Sequence, residues 1–265
     1  MLILHTLASG SEGNCLLLTD GTTNLLVDAG ISARRIKMAL GQLGLSPDDL
    51  SAILITHEHS DHICGLATLT KHHRITICAS TPTARQLSYR VAGIEPLLQC
   101  VNDGDLISIG TLQVQVFATS HDSACSVDYR VDSRYGSVGV LTDTGYVTES
   151  ACQTLRGVDL LVLESNHDVE WLRSGPYPYY LKERILGTQG HLSNDCAAAF
   201  AVQMAQSGTQ EIVLAHLSKE NNTPVRALDT VQRALGAAGY DIPVSVAPRG
   251  ELSNAYRVEV SVCKK

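Results

Sequence analysis

The stretch that organises this chain is the apolar run Ala52-Ile53-Leu54-Ile55, followed directly by Thr56-His57-Glu58-His59-Ser60-Asp61-His62. Such an isoleucine-rich run predicts a buried strand that delivers a polar loop to a site. Because side chains two residues apart point the same way on an extended segment, His57 and His59 are expected to present two nitrogens to one metal ion. Packing alone does not explain so many polar residues behind one strand, since each would need its own buried partner.

A turn after His59 is expected to swing Asp61 and His62 round to a second metal position, before a helix from about Ile63 to Thr70. Imidazole and carboxylate ligands suit zinc, manganese or iron(II) rather than calcium. This H-x-H-x-D-H pattern resembles that of the metallo-β-lactamase superfamily of dinuclear metallohydrolases. The resemblance implies two divalent metal ions, zinc or manganese, with iron as a further option.

The composition excludes some classes of protein. The 265 residues are 44% hydrophobic and carry a net charge of −7, which allows a large core but gives no support to a nucleic-acid partner. No run of about 18 apolar residues is present, so no membrane span is expected. Met1–His5 is interpreted as a first strand and not a signal peptide, which favours a cytoplasmic location.

The eight cysteines are scattered without C-x-x-C pairs, and most have apolar neighbours in the sequence. Disulfides or a thiolate metal site need paired cysteines at short or matched spacings. The cysteines are therefore expected to be buried free thiols in a reducing compartment.

Strands and helices are expected to alternate along the whole chain. Strands are predicted at Leu2–Leu7, Cys15–Thr19, Asn24–Val27, Ile75–Cys78, Leu112–Val116, Gly136–Leu141, Asp159–Leu163, Glu211–Ala215, Pro243–Ala247 and Ala255–Val260. Helices are predicted at Ala33–Leu43, from Thr81 as N-cap to Ala92, at Cys196–Ala205 and from Thr223 to Ala238. The mixture predicts an α/β (α+β) protein, and no linker is long enough to separate domains. We expect a single domain over residues 1–265, a four-layer αββα sandwich of two sheets covered by helices.

Further polar residues follow the ends of apolar strands. His121 follows one strand and is the natural third nitrogen beside two histidines already predicted to bind metal, although a lone histidine usually has an ordinary structural role. Asp143 follows another strand and fits a carboxylate that bridges two metals, although an aspartate before glycine is often a turn residue. Glu164 and His216 end two later strands. In open α/β sheets, functional residues gather at the C-terminal ends of strands.

The family resemblance assigns these residues roles. It implies a first metal held by His57, His59 and His121, a second held by Asp61, His62 and His216, and a bridging Asp143. Glu164, Gly190-His191-Leu192-Ser193 and Ala215-His216-Leu217-Ser218 resemble the nuclease branch of the superfamily. There His191 would act on the scissile phosphate or the departing oxygen, with Glu164 holding its tautomer.

Over nearly the whole chain the pattern is most similar to the YycJ/WalJ group of bacterial exonucleases. The resemblance implies a dinuclear phosphodiesterase, a 5′-to-3′ exonuclease with a nucleic-acid substrate, DNA rather than RNA, acting in DNA repair. A small cyclic phosphodiesterase or a thioester hydrolase on the same scaffold is the alternative. The Tyr- and Pro-rich segment 171–180 is expected to be a loop or short-helix insertion, whose tyrosines either stack on bases or pack at a surface or subunit contact.

Overall fold

The structure, a computed structural model, describes residues 1–259. Within that range the chain forms fourteen strands and nine α-helices. The strands are β1 (Leu2–Ala8), β2 (Cys15–Thr19), β3 (Asn24–Val27), β4 (Ala52–Leu54), β5 (Thr76–Ser80), β6 (Leu98–Val101), β7 (Leu106–Ile109), β8 (Leu112–Ala118), β9 (Val127–Ser133), β10 (Gly136–Leu141), β11 (Leu160–Glu164), β12 (Glu211–Ala215), β13 (Val244–Val246) and β14 (Tyr256–Val258). The helices are α1 (Ala33–Gln42), α2 (Ser60–Ile63), α3 (Leu66–His72), α4 (Thr81–Arg90), α5 (Glu149–Leu155), α6 (Val169–Ser174), α7 (Tyr179–Leu186), α8 (Asn194–Gln206) and α9 (Pro224–Ala237).

The strands make two seven-stranded sheets. One has the order β14-β1-β2-β3-β4-β5-β6 and the other the order β13-β12-β11-β10-β9-β8-β7. The pairs from β3 to β6 are parallel, as are those from β10 to β13. The inner strands β3, β4, β10, β11 and β12 of these parallel parts are buried on both faces, which explains why they are nearly continuous apolar runs.

Three apolar layers separate the helices and sheets. Neighbouring side chains of β3 alternate, with Leu25 in the layer between the sheets and Leu26 in the layer under α1. Likewise Val162 of β11 lies between the sheets and Leu161 lies under α8. Because successive strand residues point to opposite faces, a strand buried on both faces contributes to two layers. This arrangement confirms the predicted four-layer αββα sandwich.

Most predicted elements are found close to their predicted bounds, and the hairpin of β2 and β3 matches to the residue. The strand predicted at Ala255–Val260 is observed as β14, and Val260 lies outside the described residues. Strands β6, β7 and β9 and helix α5 were not predicted. The single-domain assignment remains a prediction.

Some local predictions were wrong for identifiable reasons. The helix expected from Ile63 to Thr70 is split into α2 and α3 at Gly65, whose backbone packs so tightly that a Cβ would lie 2.3 Å from the carbonyl oxygen of Ile31. The N-cap of α4 is Ser80 and not Thr81, because the Ser80 hydroxyl accepts the backbone N–H of Thr83.

The seven described cysteines are free, as predicted. Only Cys15 and Cys78 among them are buried, so the prediction of mostly buried thiols was wrong. Apolar neighbours in the sequence were a poor guide, because alternate residues of a strand face opposite sides. Among the helices of residues 1–259, none has the length and apolar character needed to cross a membrane.

Candidate metal centre and active site

The predicted site residues lie together at one edge of the two sheets. The side chains come from the loop after β4 and helix α2, the loops after β8, β10 and β12, the end of β11 and the loop before α8. Since β10, β11 and β12 are parallel, their C-terminal ends meet at the same edge. They border a cavity of about 220 Å³ whose lining includes His59, Asp61, His121, Asp143, His191 and His216.

Three of the histidines converge on one point. The Nδ1 of His59 lies 3.0 Å from Nε2 of His57 and 3.3 Å from Nε2 of His121. Tetrahedral zinc with Zn–N bonds of about 2.0–2.1 Å places its ligand nitrogens about 3.3 Å apart. The separations therefore suit one shared ion.

Hydrogen bonds at the far sides of two rings decide which nitrogens face this point. His121 Nδ1 donates to the carbonyl oxygen of Gly190 at 3.0 Å. Thr56 donates its hydroxyl hydrogen to Asp28 at 2.9 Å and so accepts from His57 Nδ1, also at 2.9 Å. Both Nε2 atoms thus present lone pairs towards His59, whose Nδ1 carries at most one hydrogen. At least one lone pair lacks a hydrogen to meet, and a cation between the rings would satisfy it.

A second group lies beside the first. Nε2 of His62 is 3.6 Å, and Nε2 of His216 is 3.8 Å, from the carboxylate of Asp61. The Nδ1 atoms of the two histidines contact carboxylates, Asp28 at 2.7 Å and Glu164 at 2.9 Å respectively. Carboxylates that hold the outer nitrogen of a histidine are typical of metal sites, because they fix the tautomer and turn the other nitrogen to the ion.

Asp143 lies between the two groups. Its carboxylate is 3.1 Å from Nε2 of His62 and 3.7 Å from Nε2 of His121. Within the described residues, Oδ2 of Asp143 and Nε2 of His216 are buried and make no well-aligned hydrogen bond. Buried polar atoms are seldom left so, which fits a centre built for positive ions.

Three residues at this centre have a strained backbone conformation. Among residues 1–259, the non-glycine residues with positive φ are Asp28 at 61°, Asp143 at 51° and His216 at 56°. Non-glycine residues adopt this left-handed region at a cost, and strained residues of this kind cluster at functional sites. The strand ends are therefore bent so that these side chains reach the centre.

Burial and neighbouring charges shift the pKa values of several residues in this centre. Burial tends to lower the pKa of His62, but the carboxylates of Asp28 and Asp143 outweigh it and raise that pKa well above its ordinary value. Burial tends to raise the pKa of Asp143, but His216 and His62 outweigh it and hold that pKa well below its ordinary value. Burial lowers the pKa of His57, and neighbouring histidines add to this. The Asp143 carboxylate thus stays ionised and requires positive charge from protons or metal ions.

His191 and Glu164 form a pair at the cavity. Nδ1 of His191 lies 2.8 Å from Oε1 of Glu164, which leaves Nε2 as the nitrogen available to a substrate. The same Oε1 is 2.9 Å from Nδ1 of His216, while Oε2 accepts the backbone N–H groups of Thr144 and Leu192 at 3.1 Å each. Burial opposes the charge of Glu164, but His191 and His216 outweigh it and lower its pKa to about 2. Asp143 is 3.3 Å from Nδ1 of His191.

All nine residues predicted from the sequence therefore lie at one site, and Asp28 contacts His62 beside them. The sequence held no signal for Asn14, whose amide donates to Nε2 of His62 at 3.2 Å. It also did not single out the cavity-lining residues Asp122, Tyr177 and Arg184. Tyr177 and Arg184 fall in or beside a tyrosine-rich segment with basic residues nearby, and this segment is the one signal for them in the sequence.

The comparisons with known proteins agree with this geometry. The family described as "Beta-lactamase superfamily domain" matches residues 23–217. Exodeoxyribonuclease YycJ of Bacillus anthracis is 37% identical over 242 residues, which cover 91% of this chain and 92% of that protein. Exodeoxyribonuclease WalJ of Streptococcus pneumoniae is 38% identical over 241 residues, 90% of each. The metallo-β-lactamase fold protein YhfI of Bacillus subtilis superposes with a TM-score of 0.72 at 16% identity, over 96% of this chain and 99% of that one, which shows the fold alone.

The fold and the histidine–aspartate cluster support divalent metal ions as cofactors. Two relatives well above 30% identity cover about nine-tenths of the chain. The chain thus belongs to the β-lactamase superfamily and, within it, to the family of YycJ and WalJ, and is a metal-dependent hydrolase.

Proposed function

We propose that this chain is a dinuclear metal-dependent nuclease, a 5′-to-3′ exonuclease that degrades DNA in DNA repair. The names of the relatives, both exodeoxyribonucleases, support the substrate and the reaction class. A phosphodiester also suits the cavity, where buried metal-type ligands lie beside an acid–histidine pair.

The proposed metal ligands follow the two groups described above. His57, His59 and His121 would hold one ion, zinc or manganese with iron as a further option, since imidazole and carboxylate ligands suit all three. Asp61, His62 and His216 would hold the other, and Asp143 would contact both. When bound, such ions supply a nucleophile from water at neutral pH and neutralise charge on the phosphate oxygens.

The single observation that carries the proposal is the pairing of His191 with Glu164. The pairing places Nε2 of His191 towards the cavity and holds the other nitrogen at a buried carboxylate. A histidine held in this way can donate a hydrogen bond or a proton to the oxygen that leaves a cleaved phosphodiester. We therefore propose that His191 acts on the departing oxygen and that Glu164 orients the His191 ring.

Substituting His191→Ala separates this role from metal binding. General acid–base catalysis contributes about 10²–10⁴-fold, so kcat should fall by at least about a hundredfold. Metal content per chain should stay at the wild-type value. The matched control is His72→Ala, since His72 is exposed at the end of α3. Loss of bound metal in His191→Ala would make His191 a ligand and would contradict the assignment.

End-labelled substrates test the reaction. DNA labelled at its 5′ end should release labelled mononucleotide at once, whereas 3′-labelled DNA should shorten progressively. Parallel reactions with RNA, a cyclic nucleotide and a thioester compare the alternatives. Faster turnover of the cyclic nucleotide or the thioester than of DNA would exclude the proposed substrate.

A further inference from the structure

Resting on the nuclease function above, we propose that helix α7 and the turn before it bind single-stranded nucleic acid, with Tyr177 stacking on a base and Arg184 binding a phosphate. This wall of the cavity, formed by residues 177–186, would hold the nucleotide that adjoins the scissile bond.

Four side chains of the wall line the cavity of the candidate metal centre. They are Tyr177, Leu181, Arg184 and Ile185. The last three lie on one face of α7, since residues three and four apart on a helix are neighbours. Tyr177, in the turn before the helix, is half-buried beside them. An aromatic ring, two aliphatic side chains and a guanidinium are the chemistry that binds a base and its phosphate.

The wall is fixed to the reacting residues. The backbone N–H of His191 donates to the carbonyl oxygen of Ile185 at 3.1 Å. A Cβ at Gly190 would lie only 2.1 Å from that oxygen, so glycine allows the close approach. The carbonyl of Gly190 in turn accepts from His121 at 3.0 Å. A nucleotide bound to α7 would therefore be held at a set distance from His191.

Arg184 is the one arginine or lysine that lines this cavity in the described part of the chain. Its guanidinium pairs with Asp122, whose other oxygen lies 3.4 Å from Nε2 of His121. The Arg184 side chain is 57% exposed, and exposed ion pairs are weak. A phosphate with two free oxygens matches the guanidinium fork, so a nucleic-acid backbone can compete with Asp122.

Tyr177 is tested with two substrates, an oligothymidylate and a fully abasic oligonucleotide of the same length. Stacking of a base on an aromatic ring strengthens binding by about tenfold. The kcat/KM of the wild-type protein should therefore be about tenfold higher for the thymidylate than for the abasic strand. Tyr177→Ala should abolish the preference and Tyr177→Phe should restore it. Tyr179→Ala is the matched control, because Tyr179 is 76% exposed and does not line the cavity. An oligouridylate arm tells whether the stacking also accepts RNA.

The proposed phosphate contact of Arg184 is tested by how kcat/KM depends on the salt concentration. The slope of log(kcat/KM) against log of the salt concentration should become shallower by about 0.7 in Arg184→Ala, the amount expected for one lost phosphate contact on a single strand. Arg233→Ala, exposed on α9, should keep the wild-type slope. A structural defect alone would lower the rate without changing the slope.

Several results would overturn the proposal. One is a Tyr177→Ala variant that still prefers the thymidylate, and another is an Arg184→Ala variant with the wild-type slope. A change of oligomeric mass in Tyr177→Ala would identify the segment as a subunit contact instead. Wild-type protein that degrades abasic and normal strands equally would refute the proposed role of the wall without refuting the nuclease function. Wild-type protein that degrades neither would refute the nuclease function itself.

Discussion

Replacing Glu164 by glutamine is the sharpest test of how this site is built. The Glu164 side chain is fully buried, and each of its two oxygens faces two N–H donors. Glutamine keeps the shape but offers one oxygen and one NH₂ group. Backbone donors cannot change, so the amide oxygen should face Thr144 and Leu192 and the NH₂ group should face the two imidazoles.

Both imidazoles must then carry their hydrogen on Nε2, and such a His216 cannot bind a metal through that nitrogen. Loss of a carboxylate partner of this kind costs about 10–100-fold in metal affinity or activity. Two charge-assisted hydrogen bonds of about 1.5–3 kcal/mol each are also replaced by neutral ones of about 0.5–1.5 kcal/mol, so the free energy of unfolding should fall by roughly 2–3 kcal/mol.

The assays are metal content after dialysis, kcat on DNA at saturating metal and urea unfolding. Glu149→Gln is the control, because Glu149 is exposed in the first turn of α5. A Glu164→Gln protein with wild-type metal content and wild-type kcat would refute this account of the tautomers.

Other predictions concern stability. Gly65→Ala should lower the free energy of unfolding by about 1–3 kcal/mol in urea melts, because its Cβ would meet the Ile31 carbonyl oxygen at 2.3 Å. Gly41→Ala should raise the free energy of unfolding by about 0.4–1 kcal/mol, because a Cβ at this position of α1 meets no other atom. Equal effects of the two substitutions would contradict this reasoning. Chelation should lower the melting temperature, and adding a divalent metal at about 100 times its Kd should restore roughly 2.7 kcal/mol. In metal-free protein, stability should fall as the pH drops from about 4.5 towards 2, because burial, which raises the pKa of Glu164, is outweighed by the electrostatic interaction with His191 and by hydrogen bonds to His191 and His216, which lower it to about 2. Stability should also fall as the pH rises towards 10, because Asp143, opposed by burial, raises the pKa of His216 to about 10; a flat stability profile over either range would refute that shift.

Most of the fold could be predicted from the sequence because many of the strands are buried on both faces. Runs such as Leu160–Glu164 and Glu211–Ala215 are mostly apolar and have a polar residue at or just after their C-terminal end, Glu164 and His216, so strand and site could be predicted together. The prediction of a metal-dependent hydrolase of this family is confirmed by the relatives. Strand β9, Val127–Ser133, was missed because two aspartates and an arginine interrupt its pattern.

What the sequence could not supply were contacts between distant segments. The left-handed backbone at Asp28 and His216 depends on the loops packed around them, and neither residue type requires it. Arg184 and Asp122 are 62 residues apart, and no periodicity links them. Residues 171–180 were expected to be irregular or a short-helix insertion, and the structure places Tyr177 between two short helices, α6 and α7, where it borders the cavity.

One carboxylate oxygen connects the proposed metal centre to the proposed acid. Oε1 of Glu164 contacts Nδ1 of both His216 and His191, at 2.9 and 2.8 Å. Any change that moves Glu164 must therefore alter the orientation of both rings together. The other oxygen holds the backbone of Thr144, next to Asp143, and of Leu192, next to His191. Because four donors converge on one buried side chain, Glu164 ties together the loops after β10 and β12 and the loop before α8, so losing its carboxylate should disturb the metal centre and the proposed acid together, whereas losing His191 should disturb the acid alone.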